Sequence, residues 1–170
     1  VAAVVVAPLV RGLDRATGLA WAGGASGASR ELSHENLARP GVGLIGHLNP
    51  IHPLLFQVVG IAEDEYLRTL DARGRAGIAE RTCGGETICM VVCDGLAVPA
   101  EFLSAAVRMA TPILTSTESS QHVINMLRPY LQRELGEITS LHGVFLDVLE
   151  IGVLITGDSS IGKSELALEL

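Results

Sequence analysis

The stretch Gly152-Val153-Leu154-Ile155-Thr156-Gly157-Asp158-Ser159-Ser160-Ile161-Gly162-Lys163-Ser164-Glu165-Leu166-Ala167-Leu168-Glu169-Leu170 decides how the rest of this 170-residue sequence is read. Its middle, residues 157–164, fits the phosphate-loop pattern G-x-x-x-x-G-K-[ST] at every fixed position. Gly157 and Gly162 free the backbone to curl, so that the N–H groups of Asp158, Ser159, Ser160 and Ile161 can face one anion. Lys163 is placed to neutralise the phosphates and Ser164 to offer a hydroxyl to Mg²⁺. The helix starting near Gly162 would aim its positive end at the same charge. The flanks agree: residues 152–156 suit a buried strand and residues 164–170 are rich in helix formers.

Lys163 is also the only lysine in the chain, every other basic side chain being arginine. A compact ammonium on a flexible stem reaches between phosphate oxygens in a way that a forked guanidinium does not. The competing reading gives Gly157 and Gly162 only the task of shaping a strand-to-helix turn.

A net charge of −7, with no basic stripe, argues against nucleic-acid binding and leaves a cytoplasmic enzyme as the plain expectation. The apolar run 1–10 has no basic leader and is too short to span a membrane, so it is expected to be a buried helix or strand. Cys83, Cys89 and Cys93 are odd in number and match no zinc or redox spacing, so they read as core thiols of a reducing compartment. The chain starts at Val1 and stops in the first turns of the last helix, which reads as a fragment.

Between these landmarks, strands are expected at 42–45, 56–59, 87–92 and 112–114. Helices are expected at 62–79 (with Tyr66, Leu67, Leu70 and Ile78 on one face), 100–110 and 120–134. The last should turn Val123, Ile124, Leu127 and Leu131 inward and be kinked or ended by Pro129. Alternating strands and helices indicate a small α/β domain over residues 1–133. A second unit, 134–170, is expected to be the truncated start of a P-loop kinase domain: a strand over 139–149, a turn at Glu150-Ile151-Gly152, the P-loop strand and the helix start.

The stretch Thr139-Ser140-Leu141-His142-Gly143-Val144, the hairpin and the loop Gly157-Asp158-Ser159-Ser160-Ile161-Gly162-Lys163-Ser164-Glu165 together resemble bacterial HPr kinase/phosphorylase. Arg39-Pro40-Gly41, Thr111-Pro112-Ile113-Leu114 and the helix before the hairpin extend the likeness over roughly residues 30–170. The resemblance implies a bifunctional enzyme of sugar-uptake regulation that uses ATP and Mg²⁺ to phosphorylate a serine of the phosphocarrier HPr. It further implies phosphorolysis of that phosphoserine to pyrophosphate, and a homohexamer in the full-length protein. Residues 157–164 would bind nucleotide, Ser164 would touch the metal, and His142 and Lys163 would be catalytic. Ser160 departs from the family, which often has glycine there. The family's catalytic aspartate would fall beyond Leu170, so the chain alone is expected to be inactive.

His142 gains weight from its position on a strand beside the loop, where an imidazole could donate to a transferring phosphoryl oxygen. His34, His47, His52 and His122 have no ligand spacing or evident partner. Asp158 and Glu165 read as helix caps before metal helpers, and Asp147 and Glu150 as solvated strand-end charges. Two other readings stand: an unrelated P-loop NTPase or small-molecule kinase, and a non-catalytic regulatory or binding fragment.

Overall fold

The computed structural model describes residues 3–33, 36, 43–52, 54–135 and 142–169. The chain divides into two compact units, residues 1–136 and 137–170, and both are mixtures of helix and strand. The expected Arg39-Pro40-Gly41 breaker, His34 and residues 139–141 lie outside the described residues.

The first unit begins with strand β1 (Ala3–Val5), helix α1 (Val6–Thr17), strand β2 (Ala20–Gly23), a short 3₁₀ turn (Ala25–Gly27) and strand β3 (Glu31–Ser33). The glycine-rich stretch 23–29 therefore contains a turn of helix. The apolar opening becomes a strand running into a helix, with Val4, Val6, Leu9 and Val10 buried. Strands β4 (Gly43–His47), β5 (Leu54–Val59), β6 (Cys89–Val92) and β7 (Ile113–Thr115) follow. Between them come helices α2 (Ile61–Thr69), α3 (Ala72–Gly84) and α4 (Ala100–Met109), and after them α5 (Ser120–Leu135).

The main sheet has the order β2-β7-β6-β5-β4. Strands β4 to β7 run parallel, Phe56 opposite Cys89 and Val59 opposite Val92, and β2 closes one edge antiparallel to β7. Both faces are covered, which is why β6 reads as an unbroken apolar run. Period-two alternation divides it: Cys89 and Val91 pack with α1 and α5, while Met90 and Val92 pack with α2, α3 and α4. All three cysteines are free and buried, as the sequence suggested.

Three details depart from the sequence reading. The helix expected over 62–79 is two helices. Leu70 turns extended (φ −89°, ψ 150°), and the Asp71 carboxylate accepts from the Gly74 N–H at 2.7 Å to start α3. Tyr66 is consequently exposed, while Leu67 and Ile78 are buried. Helix α5 runs through Pro129 to Leu135. The proline lies on its exposed side, and Val123, Ile124, Leu127, Leu131 and Leu135 anchor the other, so packing carries the helix past one missing N–H. His122 has a partner after all, its Nε2 lying 3.1 Å from the Ala16 carbonyl oxygen.

Arg30 provides a long-range tie that no pattern announced. Its guanidinium donates to the carbonyls of Thr87 at 2.6 Å and Met109 at 2.8 Å, joining the approach to β3 to the start of β6 and the end of α4.

The second unit consists of strand β8 (Gly143–Val148), strand β9 (Ile151–Thr156) and helix α6 (Lys163–Glu169). The two strands pair antiparallel from Gly143 opposite Thr156 to Val148 opposite Ile151. The turn is Leu149-Glu150, both left-handed (φ 54° and 66°), one residue earlier than the Glu150-Ile151-Gly152 expected. Gly152 lies within β9 opposite Asp147. Asp147 is no idle strand-end charge: its carboxylate accepts from the Glu150 N–H at 2.9 Å and pins the turn.

Candidate functional site

The register of the hairpin builds the site. Because β8 begins opposite the end of β9, residue 142 arrives beside the loop that leaves Thr156. Residues 157–162 then curl between β9 and α6. Gly157 has φ 152° and Gly162 φ 88°, angles that L residues rarely hold. A Cβ on Gly157 would come 2.5 Å from Ile161 Cδ1, the exposed tip of a side chain that can swing aside, so the backbone angle and not the space reserves this position for glycine.

Ser160, noted as the departure from glycine, takes φ 69°. This is the left-handed region glycine occupies freely, and serine accepts it at a cost of roughly 1–2 kcal/mol.

Lys163 opens α6 and is buried to 9 % exposure. Its ammonium donates to the Gly157 carbonyl at 2.9 Å and to the Asp158 carbonyl, so a charge inside the loop is held by the loop's own oxygens. The Ser164 hydroxyl is exposed and has no hydrogen-bond partner among the described residues.

A pocket of about 520 Å³ opens over this loop. Ser159, Ser160, Gly162, Lys163 and Ser164 line it from the loop side, His142, Gly143 and Val144 from the hairpin, and Glu165 from the first turn of α6. Of the residues expected to act on phosphate, His142, Ser159, Ser160, Gly162, Lys163 and Ser164 are thus brought together. Gly157, Asp158 and Ile161 shape the loop behind them, Gly157 and Asp158 through their carbonyls and Ile161 through its contact with Gly157. The sequence did not single out Gly143 and Val144 as part of the wall. The signal was present in the antiparallel register, which puts the residues just after His142 next to the loop. Asp158 and Glu165 make no hydrogen bond from their side chains to the helix start among the described residues, so the capping reading gains nothing, and Glu165 faces the pocket instead.

Among the described residues there is no group of three or more His, Cys, Asp or Glu side chains able to hold a metal ion. Ser164 is the residue of this loop expected to offer an oxygen to a cation; Mg²⁺ at a polyphosphate usually takes further ligands from carboxylates, phosphate and water.

His47 Nδ1 lies 3.4 Å from Glu63 Oε1, and Glu63 also accepts from the Gly60 N–H at 2.9 Å, capping α2.

Comparison with known proteins matches both units. The family model described as HPr Serine kinase N terminus matches residues 4–131, and that described as HPr Serine kinase C-terminal domain matches residues 133–170. HPr kinase/phosphorylase of Neisseria meningitidis serogroup C is 47% identical over 153 residues, covering 89% of this chain and 47% of the relative. Those of Paraburkholderia phytofirmans and Chromobacterium violaceum are 42% and 41% identical, each over 89% of this chain and 48% of the relative. The chain therefore spans about half the length of the curated relatives it matches. Because the likeness runs through the amino-terminal unit and the hairpin as well as the loop, the hairpin is no accident of an unrelated P-loop protein: the chain belongs to the HPr serine kinase family.

Proposed function

We propose that residues 157–164 bind the polyphosphate of ATP together with Mg²⁺, and that the full-length protein uses this site to phosphorylate a serine of HPr and to remove that phosphate by phosphorolysis. One observation carries the reading. His142, Lys163 and Ser164 line a single pocket with the glycine loop, in a chain of the HPr serine kinase family.

The donor set suits a polyphosphate. The loop offers main-chain N–H groups with only Ser159 and Ser160 side chains beside them, and Lys163 already lies against the loop. Bound nucleotide and metal would supply the transferable phosphoryl group and compensate its charge. The chain's own residues hold it. Lys163 exchanges its carbonyl partners for phosphate oxygens, the amides fix their position, and Ser164 presents its hydroxyl to the metal. His142, on the facing wall, donates to an oxygen of the group in transit and stabilises charge that develops there.

Glu165 is the one carboxylate among the pocket's lining residues, and it belongs to the helix turn. The proton acceptor for the HPr serine is therefore assigned to the rest of the full-length protein, and this chain alone binds nucleotide without turnover. Residues 1–133 form the amino-terminal domain and residues 134–170 the start of the kinase domain. The full-length protein is cytoplasmic and assembles as a homohexamer.

The test is titration of the 170-residue chain with a non-hydrolysable ATP analogue and Mg²⁺, beside a kinase assay of the full-length protein with HPr. Lys163→Ala is expected to abolish both signals, and His142→Ala to lower turnover while nucleotide still binds. Full kinase activity in Lys163→Ala would overturn the assignment, and complete absence of nucleotide binding to the wild-type chain would return the non-catalytic reading.

A further inference from the structure

A second pocket, of about 620 Å³, lies in the first unit, between the crossover that follows β4, the end of α3 and the start of β6. Gln57, a β5 residue 1 % exposed, forms part of its wall. Its Oε1 accepts from the Asn49 N–H at 3.0 Å, while its Nε2 has no acceptor among the described residues and, since no covered side-chain nitrogen or oxygen among them lacks a partner, opens onto the pocket.

Asn49 lines the same pocket and repeats the pattern. Its Oδ1 accepts from the N–H groups of Ile51 and His52 at 3.0 and 2.9 Å, which leaves its NH₂ over. Arg81 supplies a positive charge to the same wall and has no carboxylate partner among the described residues. Its neighbour Glu80, by contrast, is held by Arg108 at 3.0 Å. Both amides thus give their oxygens to the backbone and keep their donors, and Arg81 is a third lining residue able to donate. Pro50, Ile51 and Met109 add apolar surface.

We propose that this pocket is a binding site for a small organic monocarboxylate. The acid group accepts from Gln57 Nε2, Asn49 Nδ2 and the Arg81 fork, and the carbon skeleton lies on Pro50, Ile51 and Met109. A single negative charge is the match we assign, because the donors are two neutral amides and one guanidinium.

The test uses the full 170-residue chain labelled with ¹⁵N. Phenylacetate and pentanoate are titrated against phenylacetamide, inorganic phosphate and Mg²⁺, following the side-chain NH₂ signals of Gln57 and Asn49. Saturable shifts with the two carboxylates at millimolar concentration, and none with the amide, are expected. Gln57→Glu keeps the acceptor for the Asn49 N–H but replaces the donor with an oxygen, and should weaken carboxylate binding about tenfold or more. Arg81→Met should do the same, and it carries the test alone if Gln57→Glu does not fold. Equal binding of the amide, a preference for phosphate or Mg²⁺, unchanged affinity in the variants, or no saturable shift with either carboxylate would each overturn the proposal.

Discussion

The ammonium of Lys163 donates at 2.9 Å to the carbonyl of Gly157, six residues earlier, and so ties the first turn of α6 to the exit of β9. The loop is curled by the side chain that is proposed to read its ligand, so structure and recognition are joined in one residue. Lys163→Met, which keeps the stem and removes the charge, should lower affinity for a Mg²⁺–nucleotide analogue at least tenfold, since charge-assisted bonds of this type contribute about 1.5–3 kcal/mol. Calorimetric titration reads this directly. Unchanged affinity would show that the amine is only a structural tie.

Ser160 holds a left-handed angle. Replacing it with glycine relieves that strain while loosening the unfolded chain, a net gain of about 0.5–1 kcal/mol. Ser160→Gly should raise the stability of the second unit and leave nucleotide affinity unaltered, whereas Ser160→Val, β-branched at the same angle, should lose both. Hydrogen exchange of residues 157–164 would separate the two.

Burial raises the thiol of Cys83 to about 11 and, with Asp94 and Glu63 adding to it, that of Cys93 to about 12. The same desolvation pushes Cys89 up further. At pH 7 to 8 these thiols are protonated and covered, so alkylation by iodoacetamide should be slow in the native protein and rapid once denaturant is added. In the unfolded chain thiols ionise near 9. The stability that burial of the neutral form contributes is therefore complete below that value and is lost as pH rises toward the native ones. Denaturant midpoints should fall above pH 9.

Glu101 has its carboxyl below the ordinary glutamate range because it accepts from its own backbone N–H and from Arg75, whose Nε lies 2.9 Å away. A depressed native value contributes stability above the unfolded value of about 4.3 and loses it as pH falls through the native one. Glu101→Gln should be less stable than wild type at pH 7 and converge with it in acid. Equal melting curves at pH 7 would remove the pair from the list of stabilising contacts.

Leu127 is fully buried and Leu168 is 89 % exposed. Leu127→Ala should cost about 2–5 kcal/mol of stability, and Leu168→Ala should stay within about 0.5 kcal/mol. Urea unfolding of the two variants makes the comparison.

The curl of the glycine loop was legible because the pattern it fits fixes residue types at fixed intervals, and the strand and helix on either side followed from simple runs. The inward face of α5 was legible for the same reason, with Val123, Ile124, Leu127 and Leu131 recurring at helical spacing. Other features were decided by single side chains competing with the period. Asp71 cut one expected helix in two by capping the second, a signal visible in the sequence but outweighed by the helix formers around it. Leu149-Glu150 took a turn whose angles favour Asn-Gly, so its position was set by strand register instead of by turn residues. The Gln57 pocket had no signal at all. An amide inside an apolar strand stands out only when its neighbours in space are known.

The placement of β2 has a consequence for how the protein is made. Among the described residues its partner in the main sheet is β7, with Ala20 opposite Thr115, so some ninety residues must leave the ribosome before that edge can close. Strands β4 to β7, by contrast, pair in the order of their synthesis. Strand β2, made before all the parallel strands, is thus the last to join the sheet, and until β7 follows it its own edge stays unpaired, where a chaperone or a stray strand could attach.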